Sequence, residues 1–413
     1  MKPNRNIVLF VLAIMFLGAA GGIFETTSNN YYAETFNITA EQRGNLELPR
    51  EFPGFMVAVM AGLLFFVAEA NLGVIAAGLI GLGMLGLALF ANQSHQYGNM
   101  ILFLVIWSAG VHLLMPVTQS LALALAKRRN EGETLGRFGR MRMVATIFGC
   151  GIVSVYFGRF GGRFQVTFLL GAVIALGAAV MFLLLRRNMP AVHHGPRPKF
   201  VFKKRYGLYY LLSVLSGARK QVFITFGPWV LIKIFERGAE TIATLWMIST
   251  ILSAVLLPRI GRLIDRVGER FVLMADAAAL LLVCLAYGFA QDIFAERTAF
   301  LLVCTAFVVD QFLFGLQMAR TTYLSKIAES RRDISGTLGL GVSIDHAVSI
   351  PIAMLGGRLW VAFDSHRPVF LGAACVALAT LVACSFIRIP RMEHPELVES
   401  PDEAHEDARR EAF

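Results

Sequence analysis

Charge is what this chain has least of. Only 16% of its 413 residues are Asp, Glu, Lys or Arg, against about 25% in a soluble domain, while 56% are hydrophobic and the mean hydropathy is +0.62. A soluble fold of this length has no interior large enough to hide that much apolar surface, so the chain is expected in a bilayer. Cysteine is scarce too. Cys150, Cys284, Cys304, Cys375 and Cys384 all sit in apolar runs without CxxC spacing, which reads as small buried hydrophobes and excludes a sequence-encoded disulfide or zinc framework. No Gly-x-x-x-x-Gly-Lys-Ser/Thr loop is present, which argues against a self-contained nucleotide-driven pump, and no Ser/His/Asp or HExxH pattern supports an intramembrane enzyme. The net charge of +10 has no stacking aromatics interleaved with it on a polar domain, so it is not a nucleic-acid footprint. No cofactor, metal ion or nucleic-acid partner is expected.

What is there in abundance is long apolar runs. Crossing a bilayer as a helix takes about 20 mainly apolar residues, and twelve candidates run approximately 7–34, 41–67, 71–91, 98–126, 134–158, 164–186, 206–234, 240–260, 271–291, 297–325, 335–361 and 367–388. Basic residues crowd into 127–129, 186–205, 259–270 and 326–332, whereas 92–97 has none. That alternation places both termini in the cytoplasm of a multi-pass protein of the cell (inner) membrane. Thr39-Ala40-Glu41-Gln42 reads as a capping box that opens the second span. Pro190, Pro196 and Pro198 among basic residues forbid a continuous helix at 188–205, which becomes a linker between an amino-terminal bundle, 1–187, and a carboxy-terminal one, 206–390. Residues 391–413 are acidic and read as a disordered cytoplasmic tail.

The stretch Gly261-Arg262-Leu263-Ile264-Asp265-Arg266-Val267-Gly268-Glu269-Arg270 is a charged turn between two apolar spans. It resembles the signature loop of the major facilitator superfamily, Gly-x-Leu-(small)-Asp-Arg-x-Gly followed by basic residues. Gly261, Leu263, Asp265, Arg266, Gly268 and Arg270 fit the pattern, and Ile264 and Glu269 depart from it. The resemblance implies an all-α integral membrane fold of twelve transmembrane helices in two pseudo-symmetric six-helix bundles. Two internal offsets agree with that. At 199, Phe36 meets Phe235 and Glu41 meets Glu240; at 203, Thr134-Leu135-Gly136 meets Thr337-Leu338-Gly339. The first-half copy of the loop has lost its charges, with Phe66 and Val67 where the second half has Asp265 and Arg266.

Charges inside the spans carry the functional reading, because each costs at least about 2.5–3.5 kcal/mol at bilayer depth without a cavity or a partner. Glu25 and Asn29 lie on a small-residue stripe of span one, and Ser108, His112, Met115 and Gln119 on one of span four. Span seven carries Ser216, Arg219 and Lys220, span ten Asp310, Gln311, Gln317 and Arg320, and span eleven Asp345 and His346. In the superfamily that the sequence resembles, spans one, four, seven and ten line the central cavity, so these residues are the expected solute and coupling-ion sites. Glu47, Arg50, Glu51 and Gly54 share a face of span two beside Pro49 and Pro53, and are expected gating residues with Arg142, Gly261, Asp265, Arg266, Gly268 and Arg270. Arg142 aligns with Asp345 at the offset of 203, which suggests an ion pair between the halves.

The expected activity is therefore secondary transport of a small polar or charged organic solute by alternating access, coupled to protons, by a chain working as a monomer. Arg219 and Lys220 would hold a negative group and one of Glu25, Asp310 and Asp345 the proton, with His112 and His346 as possible relays. A multidrug exporter, favoured by many Phe and Met side chains, and a transport-inactive sensor or scaffold are the alternatives.

Overall fold

The structure is a computed structural model that describes residues 5–63, 68–126, 131–187 and 202–389. These residues form fourteen α-helices: α1 (Arg5–Thr35), α2 (Ala40–Asn45), α3 (Glu47–Leu63), α4 (Glu69–Phe90), α5 (Tyr97–Leu125), α6 (Glu131–Phe160), α7 (Phe164–Arg186), α8 (Gly207–Lys233), α9 (Ala239–Val267), α10 (Glu269–Ile293), α11 (Glu296–Leu313), α12 (Met318–Ile327), α13 (Arg331–Ala362) and α14 (Arg367–Ser385). Pairing α2 with α3 and α11 with α12 gives the twelve spans expected. Residues 188–201 of the linker, the tail, and the first-half copy of the charged turn at 64–67 lie outside the described residues.

Both broken spans have a local cause. Pro49 has no N–H to give the Asn45 carbonyl four residues earlier, and the chain turns at Leu46 between α2 and α3. The capping box is present at the start of α2: Thr39 accepts from the Gln42 backbone N–H, and the Gln42 side chain accepts from Thr39 N at 2.8 Å. In span ten a 3₁₀ turn, Phe314–Gln317, separates α11 from α12 where Gly315 lets the Leu257 side chain of α9 press against the backbone.

Ten of the described helical segments are long and apolar enough to cross a membrane on composition alone. The two that fall short are span two, with Glu47, Arg50 and Glu51, and span seven, with Arg219 and Lys220 at its middle. For span two the described helix, 17 residues, is shorter than a crossing needs, and in span seven the charges lower the hydropathy; charge at depth marks function.

In the first half α1 packs on α6 and α7, and α4 on α5 and α7; in the second, α10 packs on α11 and α14, and α8 on α13 and α14. The halves meet where α6 touches α9 and where α13 touches α2 and α3. Their shared architecture extends to the turns. Left-handed backbone occurs at Asn37 and Glu236, 199 apart, and at Gly161 and Asp364, 203 apart, the same two offsets that align the sequence.

The turns at 36–39, 91–96, 161–163, 234–238, 294–295 and 363–366 lie at one end of the bundle, here the far end; the charged turn near 268 lies at the other, the basic end. At the far end the halves touch backbone to backbone. Gly44 of α2 sits against Ala353 of α13, and a Cβ on Gly357 would lie 2.5 Å from the Ala40 carbonyl. Polar contacts seal the same region: Asn30 Nδ2 donates to the Arg237 carbonyl at 3.0 Å, and the Ser154 and Thr244 hydroxyls meet at 2.8 Å. At the basic end no hydrogen bond or ion pair joins the two halves among the described residues, whereas at the far end and mid-depth several do.

Candidate functional site

From the far-end seam toward mid-depth runs a string of side chains of alternating charge. Arg43 Nη1 meets Glu47 Oε1 at 2.5 Å, Glu47 Oε2 meets Arg50 Nε at 2.6 Å, and Arg50 Nη2 meets Glu51 Oε1 at 3.1 Å. Glu51 then reaches into the other half, where its Oε2 lies 2.7 Å from His346 Nδ1 and 3.8 Å from Lys220 Nζ. Lys220 closes the string on Asp345 Oδ2 at 2.6 Å. Helical spacing produces the first two links, since 43, 47 and 50 share one side across the Leu46 turn. Each charge is buried or nearly so, and each has its opposite beside it, the condition under which buried ions are tolerated.

The second half holds a separate cluster. Arg219, 5% exposed, bonds both Asp276 oxygens at 2.9 and 3.1 Å, and its Nη2 lies 3.6 Å from Asp310 Oδ1. Arg219 Nε and Nη2 and Asp310 Oδ1 are buried without a hydrogen bond in this cluster of two carboxylates and one guanidinium. A cavity of ≈ 20 Å³ beside it, lined by Ser216, Arg219, Asp276, Gln317 and Arg320, has room for about one water molecule.

Several expected roles change with these distances. Asp345 pairs with Lys220 of its own half and not with Arg142, which makes no ion pair with a described residue. The repeat offset aligns 142 with 345, but in this conformation α6 meets α9 while α13 meets α2 and α3, so the two side chains are not brought together. Arg219 has its charge matched by Asp276 and Asp310, which offsets its pull on a solute anion, although Nε and Nη2 keep donors without a hydrogen bond. Asn29 is at the seam, with its Oδ1 accepting from Arg43 Nε at 2.9 Å. Gln317 accepts from the Ser216 hydroxyl at 3.2 Å, and Arg320 donates to the Leu212 carbonyl at 3.2 Å.

Glu25 and Gln311 stay half-buried with no hydrogen bond or ion pair to a described residue; the charge that Glu25 senses most is that of Arg50. Arg142 and Gln119 line a cavity of ≈ 160 Å³ in the first half, walled by Phe10, Ile14, Leu114 and Phe138. The charged turn is splayed into the open. Asp265, Arg266 and Arg270 are exposed, and Gly268 takes φ 86°, a left-handed value that lets the chain stop α9 and start α10 at once. Glu269, where the family pattern has a basic residue, is fully buried and pairs with Lys326 at 2.5 Å.

Arg43 and Asp276 are partners that the sequence reading missed. Asp276 was discoverable by the rule that found Asp310, an ionisable residue within an apolar run. Arg43 stands four residues before Glu47, just inside the capped helix start. Buried Glu69, which accepts from Ser120 Oγ at 2.9 Å, is a third, lost beside the start of a span.

Two six-helix halves, joined by polar and backbone contacts at one end and holding buried charge between them, define a membrane transport protein of the alternating-access class. The sequence matches the Major Facilitator Superfamily over residues 54–349, and the chain belongs to that family. Its fold is similar to the nucleoside transporter NupG, with a TM-score of 0.72, 14% identity, and coverage of 92% of this chain and 98% of that one. It is also similar to the xylose transporter XylE from E. coli in a partially occluded inward-open conformation (TM-score 0.69, 11% identity, 94% and 99% covered). A peptide transporter POT in complex with sulfate gives a TM-score of 0.72 at 11% identity, with 93% and 95% covered. A search of curated proteins finds no match. The chain is thus an integral multi-pass secondary transporter of small molecules.

Proposed function

We propose that the protein carries a small polar or charged organic solute in exchange or together with protons, with its basic end in the cytoplasm. Glu25 carries this reading. Glu47, Glu51, Asp276, Asp310 and Asp345 each face a cation, whereas Glu25 faces none within ion-pair distance among the described residues. An unmatched carboxylate at bilayer depth is costly as an anion, which suits it to gain and lose a proton as water reaches it from one side and then the other. Asp310, sharing one guanidinium with Asp276, is the second candidate, because two carboxylates around one cation leave a negative charge that a proton would remove. For the solute, Arg142 and Gln119 supply polar contacts in an otherwise apolar cavity, with Lys220 deeper in the path. The apolar wall of that cavity favours a second reading, export of amphipathic compounds.

Proteoliposome uptake of a chemically broad solute panel, with and without a pH gradient, separates the two. Glu25→Gln should spare exchange and abolish gradient-driven accumulation. Full accumulation by both Glu25→Gln and Asp310→Asn would sink the carboxylate proton carrier. A panel in which only amphipathic compounds move would select the exporter.

A further inference from the structure

Three side chains at the middle of the seam are not used by the solute path. Glu51 of α3, His112 of α5 and His346 of α13 each bring one ligand-type atom to within 4.8 Å of the others, and all three are buried. Two come from the first half and one from the second, 295 positions from Glu51, so no spacing motif in the sequence announces them.

The hydrogen bonds fix what each imidazole can offer. Ser108 has a single hydroxyl proton, and it goes to the Arg50 carbonyl. His112 Nδ1, 2.9 Å from the Ser108 carbonyl and 3.0 Å from its hydroxyl, must therefore be the donor, which leaves the Nε2 lone pair free. His346 Nδ1 lies 2.7 Å from the Glu51 carboxylate and donates to it, so its Nε2 is free as well. Neither Nε2 has a hydrogen-bond partner among the described residues. The rings stand edge to face, 5.1 Å between centroids, on either side of Gly54. A Cβ on Gly54 would lie 2.5 Å from His112 Nε2 and 2.9 Å from His346 Cε1, so both rings approach each other by packing directly onto the bare Gly54 backbone.

Two imidazoles with their Nδ1 protons anchored on oxygens, one of them on a carboxylate, are the arrangement that orients histidine toward a borderline-soft divalent cation. We propose that His112 Nε2 and His346 Nε2 together bind such a cation, Zn²⁺ being the best matched, beside Gly54, with Glu51 as the positioning residue of His346. Because His112 belongs to one half and His346 to the other, the bound ion clamps the halves in the conformation that is closed at the far end. Arg50 and Lys220 flank Glu51 and oppose a nearby dication, which sets the affinity below that of a closed structural zinc site. Water completes the coordination.

The test is direct Zn²⁺ binding to the purified full-length protein by calorimetry, with Co²⁺ ligand-field absorption as a second readout and Mg²⁺ as the oxygen-preferring control. The expected result is one Zn²⁺ per chain, at least tenfold weaker in His112→Ala and in His346→Ala. Glu51→Gln should weaken it by about 10–100-fold. Gly54→Ala, which keeps every ligand, should also weaken it, because its methyl group would press on both rings and displace their Nε2 atoms. Spin labels at Arg137→Cys and Arg262→Cys, both exposed at the basic end, should show Zn²⁺ collecting the population into the wide separation in the native chain and not in the His112→Ala/His346→Ala double variant. Size-exclusion profiles matching the native one certify that the variants are folded. Equal Zn²⁺ affinity in native and double variant, or binding of Mg²⁺ as tight as that of Zn²⁺, would overturn the site. Zn²⁺ binding that leaves the label distances unchanged would overturn the clamp. None of these measurements requires that any solute be moved.

Discussion

At the scale of single residues, the buried ions make the sharpest claims. Arg219→Leu leaves Asp276 and Asp310 facing each other without their cation, and breaking a buried pair from one side costs about 3–5 kcal/mol. A large drop in the melting temperature of the purified protein is expected, with partial recovery when Asp276→Asn is added. Outside the membrane, hydrogen bonds from Lys203 hold Glu329 below the usual carboxylate range. Burial pushes Asp333 up, but hydrogen bonds from Lys203, at 2.6 Å, and Tyr206, at 2.7 Å, hold it below its ordinary value as well. The same bonds raise Lys203. A depressed carboxylate contributes stability above its unfolded pKa of about 4 and loses it as pH falls through the lower folded value; a raised lysine loses its share only as pH climbs past about 10.4. The tie between the start of α8 and the α12–α13 turn is thus expected to persist across neutral pH and to release on acidification below about pH 4. Hydrogen exchange at Glu329 N–H, which donates to Tyr206 at 3.1 Å, would follow it. Which charges lie at depth could be read from the sequence, since an ion in an apolar run stands out. Who pairs with whom could not, because partners such as Glu51 and His346 meet only through helix packing.

At the scale of elements, the sequence revealed the spans and the capped start at Thr39, because each is a local matter, while the break after Asn45 and the 3₁₀ turn at Gly315 came with the structure. The seam was less legible. Gly44 and Gly357 look like any glycines in membrane helices until their partners across the interface are known. Gly357→Val would drive a branched side chain into the Ala40 carbonyl and push α13 off α2. Distance measurements across the far end should then show it opened in a larger fraction of molecules, and a closed far end in this variant would deny the seam its role. The charged turn makes the opposite prediction. Asp265 and Arg266 make no hydrogen bond or ion pair with a described residue, so Asp265→Asn should leave the stability of this conformation unchanged and slow transport by weakening only the conformation in which the basic end closes, by ~1–3 kcal/mol. An unaltered turnover rate would reduce the turn to a topological marker.

At the scale of the whole molecule, the alternation of basic and non-basic loops and the two internal offsets anticipated a two-half bundle with its basic residues at one end. Selective labelling checks the orientation: in a background free of native cysteine, Gln93→Cys should react only from outside sealed cells and Arg262→Cys only from inside. What sequence could not disclose is which end is shut, for both conformations share one set of spans and differ only in contacts between halves. The alternating string has one last consequence. Cut at the Glu51 contacts, it divides into Arg43, Glu47, Arg50 and Glu51 on one side and Lys220 with Asp345 on the other, and each group sums to zero. Parting the halves therefore separates no net charge along this string. A membrane voltage does work of about 2.3 kcal/mol per 100 mV on each elementary charge that crosses it, so it finds little to act on in these residues. Electrical sensitivity would rest on the bound solute, the proton, the unmatched Glu25 and Arg142 and the two carboxylates around Arg219, and with Glu25→Gln, Arg142→Gln and Asp310→Asn combined, solute-free reorientation should run at a rate that imposed potentials barely alter.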